Sequence, residues 1–359
     1  MSVVTGRKKD MSASLAGRYA VIDAVRGLAI CAVVLGHAAI GVVSAGLAEQ
    51  QHAAFARLIT ALYLVHMPLF AFLMGLNLPQ AWQRRKHPTY MISRVLFFLW
   101  LYLVWTLIQG LSELAAASLQ NGQGTTVADI LTLWVPLAHL WFLPWAATAT
   151  VLIILTRLWQ RSWTSVLALL TLAVISVMTW GNTHNNILSL GNSILIFAAL
   201  GAVVGIKKCG NVLSCWGIGH TVMLLISWGI YLYILLAPVE NTRPTGLDAG
   251  RSLETVTVGI LGCLAGCVAF ILTISCIYHF ISLKWLEVLG KLSLQIFLAH
   301  LLFTPAARIV LVKIGITDPI LITLVATGAG ICGPLGLYYL TRSWLPWLFD
   351  TPWKISATQ

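Results

Sequence analysis

Apolar runs, each close to the ~20 residues that a helix needs to cross a hydrocarbon core ~30 Å thick, recur along almost the whole of this sequence. By hydropathy they fall at roughly 20–45, 54–78, 94–112, 140–156, 163–181, 190–206, 213–237, 255–281, 287–304 and 317–341. Only 9% of the 359 residues are charged, against roughly 25% in a soluble domain, so the apolar surface has no water-soluble core to hide in. Inside lipid every backbone polar group needs an internal partner, which runs of this length supply by forming helices. The expected fold is all-α: a polytopic membrane protein of about ten transmembrane helices.

The basic residues sort by side. With the N-terminus placed in the cytoplasm, the inside segments hold fourteen, namely Arg7, Lys8, Lys9, Arg18, Arg84, Arg85, Lys86, Arg157, Arg161, Lys207, Lys208, Lys284, Arg342 and Lys354. The outside loops hold Arg243, Arg251, Arg308 and Lys313, and this bias predicts both termini in the cytoplasm. The formal charge of +11 therefore reads as a topology signal and predicts no nucleic-acid partner, because it is spread in short clusters and forms no continuous patch. The first run is too long, and too closely followed by a second, for a cleaved signal peptide. Tryptophans near run ends, such as Trp82, Trp134, Trp163 and Trp180, fit interfacial belts.

The longest polar loops, 113–139 and 238–254, are too short to fold alone, which predicts one membrane domain over residues 20–342. A cytoplasmic segment 1–19 precedes it and a cytoplasmic tail 343–359 follows. Gln120 to Thr126 and Pro238 to Arg251 face outside and are expected either to rim a substrate site or simply to connect helices. The seven cysteines form no CxxC pair, and Cys263 and Cys267, four apart on one helix face, have no third ligand nearby; no metal is expected.

Chemistry concentrates in the first run, where Asp23, Arg26 and His37 interrupt an otherwise apolar sequence. Ionisable groups within a bilayer are costly and tend to face a protein interior or a wet cavity. Asp23 and Arg26, three apart, share a helix face and can neutralise each other. Arg26 and His37 are about three turns and ~16 Å apart on nearly one face. That stripe predicts a single passage for a long anionic donor, with acyl-coenzyme A phosphates near Arg26 and the thioester delivered to His37. Imidazole, with an ordinary pKa near about 6.5, suits a base that takes a hydroxyl proton and returns one to a thiolate. A transient acyl-histidine is the competing role, and a histidine bonded to a neighbouring carbonyl is the plain structural one.

The arginine, ten residues, then histidine spacing of Arg26 and His37 resembles the signature of acyltransferase family three, the polytopic membrane acyltransferases of bacterial surface polysaccharides. The flanking Ile22-Asp23 and Arg26-Gly27-Leu28-Ala29 are similar as well. So are His66-Met67-Pro68-Leu69-Phe70 leading to Met74-Gly75, then His139-Leu140-Trp141-Phe142-Leu143, and Leu289 to His300. The resemblance covers most of the chain. It implies a multi-pass protein of the bacterial inner membrane that takes acetyl-coenzyme A from the cytoplasm and O-acetylates a glycan or lipid-linked saccharide. Many members carry closely spaced arginines after the second span; here Arg84 and Arg85 precede a longer gap to Arg94, and Arg85 and Arg94 are taken as donor contacts.

Further candidates are His66, to orient His37 or touch the acceptor, and Ser293 with His300, separated by seven residues, to hold sugar hydroxyls beside Gln295. Helix-to-helix hydrogen bonding would account for the last group equally well. Trp141 suits stacking on a sugar or interfacial anchoring, and Glu113 suits either a hydroxyl contact or a solvated helix end. The alternative function for such a chain is a transporter or flippase for a sugar or lipid-linked intermediate, although no inverted repeat or paired broken helices favour it. A non-catalytic scaffold for export is the third.

Overall fold

The structure, a computed structural model, describes residues 2–85, 88–116, 126–182, 184–237 and 239–353, with side chains from Tyr19 onward apart from that of Arg85. The regular structure of the described residues is all helix, with a single isolated bridge between Asn182 and Leu247 and no strand. In chain order the helices are α1 (Ser2–Ser44), α2 (His52–Arg85), α3 (Pro88–Ala115), α4 (Val127–Leu131), α5 (Phe142–Thr156), α6 (Trp163–Thr179) and α7 (Leu195–Val204). They continue as α8 (Ile206–Leu213), α9 (Ile218–Leu236), α10 (Leu253–Phe280), α11 (Lys284–Lys291), α12 (Ser293–Lys313) and α13 (Pro319–Thr341).

All ten apolar runs form helix, but by length and composition eight helices are able to cross a membrane, or nine if one bent pair is a single span. The run at 163–181 becomes α6, only 17 residues long. The run at 190–206 ends in a 79° bend between Asn192–Val204 and α8. The break falls at Gly205, whose φ of +70° suits a residue without a Cβ. Beyond it α8 buries Ile206, Cys209, Gly210 and Leu213 and exposes Lys207 and Lys208, the pattern of a helix lying along an interface.

The run expected at 287–304 is in fact two elements, α11 and α12, and the second continues to Lys313. Arg308, expected in an outside loop, therefore lies inside a membrane helix, a turn past Pro305. Hydropathy stopped short because Pro305 and Arg308 end the apolar window, yet a membrane helix tolerates proline where neighbours cover the freed backbone.

Helix α1 is central, packed against α2, α10, α11, α12 and α13. Two backbone-to-backbone crossings hold this centre. A Cβ on Gly27 would strike the Leu286 carbonyl and one on Gly290 the Asp23 carbonyl, so α1 and α11 touch main chain to main chain. A Cβ on Gly75 would meet the Ala198 carbonyl and one on Gly201 that of Phe72, which fixes α2 against α7 in the same way. With lipid tails as apolar as leucine, such close approach supplies packing that burial alone cannot. Helices α6 and α9 lie outside, with Leu167, Leu170, Leu225 and Ile226 exposed as lipid-facing surface.

Two connections are tightly tied. The segment entering α10 is pinned to the end of α6: Trp180 Nε1 donates to the Thr242 carbonyl at 2.8 Å, and Arg251 donates to the carbonyls of Trp180, Val177 and Met178. Arg251 thereby satisfies carbonyls that a helix C-terminus leaves open. After α13, Leu348 and Phe349 are buried against α3, where Trp105 Nε1 donates to the Leu348 carbonyl at 2.7 Å.

Candidate active site

Four histidines from four helical elements converge around the half of α1 that lies toward Ser44. The ring centroid of His37 is 5.1 Å from that of His300 on α12 and 5.9 Å from that of His139, in the 3-10 turn (Ala138–Trp141) that opens into α5. His139 and His300 are 4.6 Å apart, so the three imidazoles form a closed triangle. His66 on α2 joins through Tyr63, whose ring lies 4.7 Å from His66 and 6.4 Å from His37.

The main chain sets the tautomers of two of them. A carbonyl can only accept, so Nδ1 of His66 donates to the Leu62 carbonyl and Nδ1 of His300 donates to that of Phe297 at 2.8 Å. Each ring then keeps Nε2 as an acceptor. Nε2 of His300 and both nitrogens of His139 are buried without a hydrogen-bond partner among the described residues. Buried polar atoms are rarely left so, and a cluster of them calls for an explanation, of which a catalytic role is one. His37 is only half-buried, and among the described residues its ring makes no hydrogen bond.

Two cavities approach this cluster from opposite ends. The first, about 380 Å³, is lined by Arg26, Arg94, Tyr90, Ser293 and a largely apolar wall that includes Met67, Phe97, Phe142 and Phe297. In it Arg26 is held by Asp23, Nη1 to Oδ1 at 3.0 Å, while the Arg94 guanidinium lies 5.0 and 4.9 Å from the ring centroids of Phe97 and Phe98. The second, about 180 Å³, is lined by His37, Gly41, Thr304, Arg308 and Ala326 among others, between α1, α12 and α13.

The single passage expected from Arg26 to His37 is not open in this structure. Each residue lines a different cavity, and Ile30 and Val33, which occupy the α1 stripe between them, are fully buried. The wall at the cluster is Phe297: it lines the first cavity and its ring lies 4.7 Å from His139 and 6.2 Å from His300. Helical spacing correctly predicts the shared face but carries no information on what neighbouring helices insert against it.

The remaining candidates divide. His37, His66 and His300 come together, and Arg26, Arg94 and Ser293 share the first cavity. Ser293 and His300, expected along one sugar-holding stripe, part company, one in the first cavity and the other in the imidazole triangle. Asp23 binds Arg26 some 21 Å of helix rise from His37 and does not reach the cluster. Trp141 packs on Phe142 and lines neither cavity; Glu113 accepts from Gln109 Nε2 at 3.0 Å, also away from both. The side chain of Arg85 and residues 117–125 of the outside loop lie outside the described residues.

His139 opens the His139-Leu140-Trp141-Phe142-Leu143 stretch but is not singled out by sequence, since its contacts with His37 and His300 arise only in the folded bundle. Thr304 and Arg308 were beyond reach, because hydropathy ended the helix before them.

Comparison with known proteins agrees with this arrangement. The acyltransferase domain of acyltransferase family 3 matches residues 19–339, nearly the whole chain and every element that builds the site. Searches of curated proteins and of solved structures give no match. With the family's domain covering the bundle from α1 to α13, the protein is a membrane acyltransferase belonging to acyltransferase family 3.

Proposed function

We propose that the protein transfers an acetyl group from cytoplasmic acetyl-coenzyme A to a hydroxyl of a cell-surface or exported polysaccharide, or of a lipid-linked sugar, in the bacterial inner membrane. The observation that carries this reading is the position of His37, in an imidazole cluster with an arginine-bearing aromatic cavity on one side and a cavity reaching its own ring on the other. A donor with anionic phosphates and a thin apolar arm fits the first cavity, where Arg26 and Arg94 suit the phosphates and the Met67, Phe70 and Met74 wall suits the acyl-pantetheine end. The acceptor hydroxyl takes the second.

In this reading His37 accepts the hydroxyl proton as the oxygen forms a bond to the thioester carbonyl carbon. The carbon–sulfur bond then breaks, and the imidazolium returns the proton to the departing thiolate, giving an ester and a free thiol. Nε2 of His300, an acceptor without a partner 5.1 Å away by ring centroid, suits orienting the N–H of His37. Asp23 acts one step removed, by holding Arg26. Phe297 stands between the first cavity and the rings of His139 and His300, so in this reading its ring swings aside for the thioester to approach the cluster.

The test uses protein purified into nanodiscs with acetyl-labelled coenzyme A and an oligosaccharide acceptor. Ester-linked label on the sugar is expected; an intact donor and an unlabelled sugar across a broad acceptor panel would refute the assignment.

A further inference from the structure

Among the described residues, the cation that lines the second cavity has no counterion. Arg308 sits on α12 within the membrane span and lines the second cavity with His37. Among the described residues its hydrogen-bond partner is one neutral group: Nη1 donates to the Gly41 carbonyl. Among the described residues the ion pairs are Arg26 with Asp23 and Lys291 with Glu287, and neither involves Arg308. A guanidinium carries five N–H donors, and a permanent charge in an apolar span is costly until an opposite charge or ordered dipoles meet it.

The space for this charge is built. A Cβ on Gly41 would meet the Arg308 guanidinium, so the bare glycine leaves room for that group to lie against α1 as it does here. Next to it, Thr304 is buried, lines the same cavity, and has a hydroxyl oxygen without any partner in the protein. A second cation flanks the cluster: Arg243, exposed on the segment before α10, lies 5.7 Å from the centroid of the Tyr63 ring that touches His37 and His66. Capping the end of α1 explains only part of Arg308, since the Gly41 carbonyl already accepts from Ala45 N at 3.2 Å.

We propose that the acceptor is an acidic saccharide, whose carboxylate or phosphate is bound by Arg308 with the Thr304 hydroxyl beside it, so that a neighbouring sugar hydroxyl is presented to His37. This rests on the second cavity being the acceptor side. It deepens that reading by naming the acceptor's charge: the protein supplies the cation and the substrate the anion.

The test is binding without donor, to wild-type and variant protein in nanodiscs, of a glucuronate-bearing oligosaccharide, the same oligosaccharide with its carboxyl reduced to an alcohol, and a sugar 1-phosphate. Wild type should bind one acidic probe about tenfold or more tightly than the neutral one, as a charge-assisted pair at a shielded site implies. Which acidic probe wins tells carboxylate from phosphate. Arg308→Gln, which keeps N–H donors for Gly41, should lose that preference, its affinity for the acidic probe falling by about tenfold to that for the neutral one, and Arg308→Lys should restore part of it. Equal binding of acidic and neutral probes by wild type overturns the proposal, as does an Arg308→Gln variant that weakens all three equally, the mark of a purely structural arginine. Selective binding with no acetyl transfer would instead sink the transferase reading and leave the anion site standing.

Discussion

Arg26 and Arg308 occupy the two cavities that flank the imidazole cluster, and the chain treats them differently. Arg26 has Asp23 one helical turn away at 3.0 Å, so its own charge is met before anything enters the first cavity. Arg308 has a backbone carbonyl and a buried unpartnered threonine hydroxyl nearby, and no carboxylate among the described residues. The first cavity is walled by aromatic and methionine side chains, and the second is small and lies against a histidine. A charge carried into a membrane bundle needs an opposite charge. Where the chain provides it, the arginine can be shared with a ligand that comes and goes; where it does not, the ligand has to bring it.

Both cavities depend on α1, so the largest effect should come from moving that helix. Gly290→Leu drives a side chain into the Asp23 carbonyl at the α1–α11 crossing, and we expect loss of the monodisperse peak in detergent chromatography, hence of both binding functions together. A well-folded variant with one cavity intact would show that the crossing is not shared support.

Arg26→Gln separates the cavities. It should raise the KM for acetyl-coenzyme A by about tenfold or more through loss of a charge-assisted contact, leave the KM for acceptor unchanged, and lower the melting temperature by stranding Asp23. Adding Asp23→Asn should recover the melting temperature and not the donor KM, because only the first depends on the internal pair. Phe297→Ala thins the wall between cavities, and a several-fold rise in donor hydrolysis without acceptor is expected; hydrolysis at the wild-type rate would mean the partition lies elsewhere. Smallest of all, Glu113→Gln and Trp141→Phe touch neither cavity and should keep turnover within about twofold, the range of peripheral substitutions.

Much of this was legible in the sequence where the signal is one-dimensional. Apolar runs near the length of a membrane span fix the helical class, and the eleven-residue step from Arg26 to His37 fixes a common face. What escaped depends on neighbours. Hydropathy closed the ninth run before Pro305 and Arg308, although α12 runs on to Lys313. His139 was passed over because its role arises from contact with His37 and His300, which stand far from it in sequence. The blocked stripe between Arg26 and His37 is of the same kind: Ile30 and Val33 read as ordinary apolar positions, and only the packed bundle shows them filling the path.

In the proposed reaction His37 transfers the proton and does not hold the donor. His37→Gln should be purified in nanodiscs and acetyl-coenzyme A binding and acetyl transfer measured on the same sample. Binding within about threefold of wild type is expected, with transfer reduced by roughly 10²-fold or more, the contribution of a positioned general base. Transfer close to the wild-type rate, or donor binding lost in step with it, would rule out this role for His37.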